Sequence, residues 1–143
     1  MTIKQALKEK NRLIKAIDDE FKKIQAYNSI DESNTRPYST QTSLENILVL
    51  EDALIDIKTQ IHRANMGVYN KIFRLSELKS LAKKLNQIDC SEGKVVDRYS
   101  RSEAVVKTAE ITVIDRDTRV KMIEEEIELL QEELDTHNAT TSI

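Results

Sequence analysis

Apolar residues at Ile3, Leu7, Ile14, Ile17, Phe21 and Ile24 recur at spacings built from threes and fours, the signature of one helical face. Thr2 followed by Gln5 predicts a reciprocal cap at the start of that helix. The same register passes through Lys10 and Asn28, so the stripe carries one charged interruption and ends near residue 28. Between Ser29 and Thr42 stand Asp31, Ser33, Asn34, Pro37 and Ser39, residues that favour turns, and Pro37 disfavours helix at Arg36. A second helix is predicted from Thr42 or Ser43, where Ile47, Leu50, Leu54, Ile57, Ile61, Ala64 and Val68 fill a three-four register with no polar exception. Gly67 marks a break near its end.

A third helix, from about Asn70 to Ile88, carries Leu75, Leu78, Leu81, Ala82, Leu85 and Ile88, a wide stripe that predicts the most buried helix of the chain. The helical period then disappears. Over about 89–112, β-branched residues gather at Val95, Val96, Val105, Val106, Ile111 and Thr112, which predicts two short strands in a hairpin. A lone hairpin is marginal in water, so this one needs the helices or another subunit to cover it. Val120, Ile123, Ile127, Leu130 and Leu134 restore the helical spacing, entered through Thr112 or Asp115 and fading at His137 to Asn138.

The predicted fold is therefore mainly α: an antiparallel four-helix bundle, with helices at about 2–28, 43–68, 70–88 and 113–138 and a small β-hairpin between the third and fourth. A chain of 143 residues suits one such domain, 1–143. Composition agrees, since 2 Gly and 1 Pro are too few for a turn-rich β fold. Charge adds a pairing rule. The first and third helices are basic, and the second and fourth acidic, with Glu124, Glu125, Glu126, Glu128, Glu132 and Glu133 dominating the last. Neighbours of opposite sign attract, although each exposed pair contributes under about 1 kcal/mol.

The charge balance, 22 basic against 25 acidic side chains, gives no general attraction to nucleic acid or anionic lipid. No apolar run approaches a membrane span or a signal peptide, so the expectation is a cytoplasmic protein away from membranes. Cys90 is the single cysteine and reads as a small side chain in a connection. No phosphate loop, nucleophile elbow or metal-ligand spacing is present, so no catalytic residue, metal or cofactor is predicted. Glu133 and His137 stand one helical turn apart, which suits either a weak surface metal or, more simply, a solvated helix end.

One segment is unusual. Asp97, Arg98, Tyr99, Ser100, Arg101, Ser102 and Glu103 place two guanidinium groups, a phenol, two hydroxyls and two carboxylates in seven non-helical residues. Arg forks grip carboxylate or phosphate in two-point fashion, so the segment reads as a contact to an anionic ligand or peptide, or as an ion-pair clasp to the fourth helix or a second subunit. Here the sequence also resembles the septicolysin-like family of small bacterial helical proteins, in the stretch from Arg98 to Glu103. The likeness extends to Ala6-Leu7, to Ile61 through Asn65, and to Leu134-Asp135-Thr136 with Asn138 and Thr140-Thr141. It departs from the family at Ala104, Ala139 and Ala64. The resemblance implies a helical bundle with a small β element that assembles into homo-oligomers, hexamers among them, with no established catalytic residues.

The slim apolar stripes independently predict self-association. The expected function is thus non-catalytic assembly or partner binding. The alternatives are a pore-forming or membrane-active protein and a ligand binder or enzyme with a site at the oligomer interface. Replacing Arg98 and Arg101 together with Gln separates the clasp from the ligand contact. A clasp predicts a looser or dissociated assembly by light scattering, whereas a ligand contact leaves mass and melting unchanged.

Overall fold

A computed structural model describes residues 1–95 and 105–143. The chain is mainly helical, of the helical-bundle class, with the order α1 (Ile3–Tyr27), α2 (Thr40–Asn65), α3 (Tyr69–Asn86), β1 (Gly93–Val95), β2 (Val105–Lys107) and α4 (Val113–Thr140). The strands pair antiparallel between α3 and α4, with Gly93 opposite Lys107, Lys94 opposite Val106 and Val95 opposite Val105. Two compact units divide the chain: residues 1–68 with 135–143, and residues 69–134.

In the first unit α1 and α2 form an antiparallel hairpin. Thr2 caps α1 as its sequence predicts, its hydroxyl accepting from the Gln5 amide at 3.3 Å while Gln5 Oε1 accepts from the Thr2 amide at 2.8 Å. At the other end Arg36 donates through Nε to Tyr27 O and through Nη2 to Asn28 O, both at 2.9 Å. That fork meets carbonyls which a helix end leaves without partners, and Arg36 is free to do so because Pro37 holds it out of the helical region. The second helix starts at Thr40, a little before the predicted Thr42 or Ser43. Ser39 is the cap, its hydroxyl accepting from the Thr42 amide at 3.2 Å.

The seam between these helices buries Ala6, Leu13, Ile17, Ile47, Leu54 and Ile57, with Ile24, Leu50, Ile61 and Ile143 packed against them. The α2 positions match the predicted register. On α1 the buried face is rotated: Ala6 and Leu13 are inside, whereas Ile14 and Phe21 are 39% and 43% exposed. The predicted stripe merged two neighbouring seams that share Ile3, Ile17 and Ile24. Positions 7, 14 and 21 repeat every seven residues and form a flank of their own.

Polar groups also enter the seam. Ser43 is buried, and Glu20 reaches toward it from α1 with Lys23 at 3.2 Å. The Ser43 hydroxyl first, then Lys23 and Asn46, hold the Glu20 carboxyl below its ordinary range. Its Oε2 is enclosed with no well-directed donor.

Gly67 lies in the turn between α2 and α3, where Met66 and Val68 donate back to Arg63 O at 3.3 Å and Asn65 O at 2.9 Å. The break falls where predicted, but its cause is this tightening and not left-handed backbone. Among the described residues Gly93 alone takes positive φ, at 88°.

In the second unit α3 and α4 run antiparallel, tied by Lys71 to Glu133 at 2.8 Å, Arg74 to Glu126 at 2.6 Å and Lys79 to Gln131 at 3.3 Å. Basic α3 thus meets acidic α4, in accord with the charge pattern. The expectation that the third helix is the most buried fails. Only Leu75 and Ala82 of α3 are buried, and Leu81 is exposed, because the packing of α3 on α4 uses only part of a wide stripe. Thr112 caps α4, accepting from the Asp115 amide at 3.1 Å.

The chain ends fold together in the first unit. Ile3 donates to Thr141 O at 3.0 Å, Ile143 donates to Met1 O at 2.9 Å, and Thr2 bridges Ser142. The helix α4 itself runs through Thr140, past the predicted end near residue 138. No helix among the described residues is long and apolar enough to cross a membrane.

Truncation at the α1–α2 seam is expected to be costly. Ile47→Ala or Leu54→Ala should each lower stability by about 2–4 kcal/mol in urea unfolding at fixed protein concentration. Val49→Ala, on an exposed position of the same helix, should change it by under about 0.5 kcal/mol.

Candidate functional site

The candidate residues Asp97, Arg98, Tyr99, Ser100, Arg101, Ser102 and Glu103 lie outside the described residues. What the structure does describe is the stem on either side of them. After α3, Asp89 accepts from the Ser91 amide at 2.9 Å and from the Ser91 hydroxyl, a local turn that brings the chain into β1. Those two bonds hold the Asp89 carboxyl below its ordinary range, and Lys107 on β2 adds to the effect from 3.9 Å. Arg116, in the first turn of α4, donates through Nη1 to Ile88 O at 3.0 Å. Cys90 is a buried free thiol with its Sγ 3.6 Å from the same carbonyl, which agrees with a packing role in a connection.

The stem is therefore anchored at its base and bare further out. Val105, Val106 and Lys107 are all exposed, although alternate residues of a strand point to opposite faces. Neither side of β2 is covered by the described residues of this chain, so of the two ways to stabilise the hairpin, cover by its own helices is not what they provide.

The second position singled out by the sequence is His137. Its Nε2 lies 3.1 Å from Asn65 Oδ1 at the end of α2, and its Nδ1 lies 3.1 Å from the Thr141 hydroxyl. The ring is half-buried and joins the last turns of α2 and α4. The expectation of a solvated helix end is thereby corrected, because the chain continues past His137 and folds back over it. Glu133, the other half of the pair, bonds Lys71 instead. Among the described residues no group of three or more His, Cys, Asp or Glu could hold a metal.

Two surface features carried no motif to announce them. One is a shallow groove of about 360 Å³ in the second unit, lined by Leu81, Leu85, Arg119, Met122 and Ile123. It is mostly apolar with one guanidinium at its edge. The other is the flank of the α1–α2 hairpin that holds Ile14 and Phe21. Its signal was present in the seven-residue repeat of Leu7, Ile14 and Phe21, masked by the adjacent core register.

No protein-family model, no curated protein and no solved structure matches the chain.

The α3–α4 ion pairs give a pH-dependent observable. Arg74 holds the Glu126 carboxyl below its ordinary value of 4.5, first through the hydrogen bond and then through its charge, opposed by partial desolvation. A carboxyl lowered in the folded state contributes stability that is fully present above its unfolded pKa and is lost as pH falls through the folded value. Both side chains are about half exposed, so water screens the pair and its contribution is small. In Arg74→Met the Glu126 carboxyl should titrate at higher pH, toward 4.5, and the acid limb of the stability curve should flatten. Carbon-detected NMR titration of that carboxyl checks the shift.

Proposed function

We propose that this chain is a cytoplasmic, septicolysin-like assembly protein that acts through self-association and partner contact rather than through catalysis. The observation that carries the reading is the small sheet. Val105 and Val106 are 58% and 65% exposed on a strand of three residues that has, among the described residues, a single partner strand. Two paired strands are marginally stable in water, and their outer edges present unpaired backbone donors and acceptors. A second copy that covers the valines or adds a strand meets both needs. The resemblance at Arg98 through Glu103 supports the same reading, since it implies homo-oligomers, hexamers among them.

The described surface supports assembly in kind. It offers apolar side chains in quantity, including Met122 and Leu129 on α4 and Phe73 on α3, and its grooves are shallow. Sedimentation of the full chain across a wide concentration range is the direct test. A species at a multiple of 16.5 kDa is expected. A mass of 16.5 kDa at every concentration overturns the proposal.

A further inference from the structure

The α1–α2 hairpin has two flanks, and they differ. At 100° per residue, Leu7, Ile14 and Phe21 lie roughly 50–90° round from the buried seam of α1, and Leu44, Leu48 and Ile55 lie roughly 100–140° round from that of α2. Because the helices are antiparallel, equal rotations bring both sets to the same flank. Five of the six are exposed, Leu48 by 61%. The opposite flank is where the C-terminal residues sit, Ser142 and Ile143 sharing a hollow with Gln60, Arg63 and Ala64. Residues 142 and 143 therefore lie away from the apolar flank.

Charge at the rim of the apolar flank is divided by helix. Lys4, Lys15 and Lys22 edge it on α1, with Asp18 between two of the lysines; Glu45, Glu51 and Asp52 edge it on α2, with Lys58 seven residues beyond Glu51 as the one basic side chain in that row. Glu20 beside Ser43 and Asn46 sets the register of the hairpin, which puts Lys15 level with Glu51 and Asp52, and Lys22 level with Glu45.

We infer that this flank docks a second copy of the chain, face to face about a two-fold axis parallel to the helices. That axis lays each α1 over the partner's α2. It brings Phe21 over the partner's Leu44 and Leu48, Ile14 over the partner's Ile55, and the lysine edge over the partner's acidic edge. A two-fold perpendicular to the helices would instead stack lysine on lysine, so the charges select the first arrangement. An apolar centre with a charged rim is the anatomy of a protein interface. The inference deepens the self-association proposed above and rests on it.

Leu48→Lys and Ile55→Lys, made separately in the full chain, test the surface, because both positions are exposed and neither should unfold the hairpin. Each is expected to raise the dissociation constant of the assembly by at least about tenfold while helical circular dichroism is retained. The pair Lys15→Glu with Lys22→Glu should weaken association, and adding Glu51→Lys with Asp52→Lys should restore it. An oligomeric wild type whose mass is unchanged by all these variants overturns the surface and leaves self-association standing. A lower melting temperature at unchanged mass assigns the flank to this chain's own helices and likewise overturns it. A wild type that is monomeric throughout removes both proposals.

Discussion

The interdigitation of α1 and α2 is the constraint on which the first unit depends. Two helices of about 25 residues present complementary rows, Ala6, Leu13 and Ile17 against Ile47, Leu54 and Ile57, and removing those side chains from water is what fixes their antiparallel course. Helices of this charge content do not stand alone in water, since intrinsic propensity is weak against the entropy of ordering. Once the row is set, the cap at Thr2, the Arg36 fork and the Ser39 cap close the ends. Glu20, Ser43 and Asn46 add a polar interruption to an otherwise apolar row, which disfavours sliding by a turn because a shifted register would strand the carboxylate.

Much of this architecture was legible in the order of residues. The Thr2 and Gln5 cap, the stop before Pro37, the unbroken register from Ile47 to Ile61 and the acidic last helix each follow from a local rule that the fold does not override. The failures have a common origin. Burial depends on the partner helix, and a sequence window reports only which residues are apolar. On α1 Leu13 and Ile14 belong to adjacent seven-residue repeats, Ala6-Leu13-Glu20 and Leu7-Ile14-Phe21, and only packing against α2 decides that Leu13 goes in and Ile14 stays out. On α3 the wide stripe misled for the same reason. The role of His137 was hidden because its partners, Asn65 and Thr141, stand 72 residues before it and four after it, and no spacing rule links them. As for the candidate site, the unusual chemistry from Asp97 to Glu103 was visible as composition, while the exposed stem that leads to it could be seen only in three dimensions.

Charge works differently in the two units. Between α3 and α4 it is used within the chain, where Lys71 and Arg74 meet Glu133 and Glu126 across the helix pair. On the α1–α2 hairpin the close pairs Glu9 with Arg12 and Glu20 with Lys23 are one turn apart on α1. Exposed pairs of this kind contribute little to folding, so their value lies in choosing which surfaces meet.

The bridge between Thr2 and Ser142 carries a kinetic consequence. It joins residues separated by nearly the whole sequence, and the entropy of closing so long a loop must be met before any of its hydrogen bonds can form. The helical hairpins close over far shorter separations and reward ordering early. The seal between the first and last residues should therefore be the final event of folding and the first to open, leaving the two hairpins to form without it.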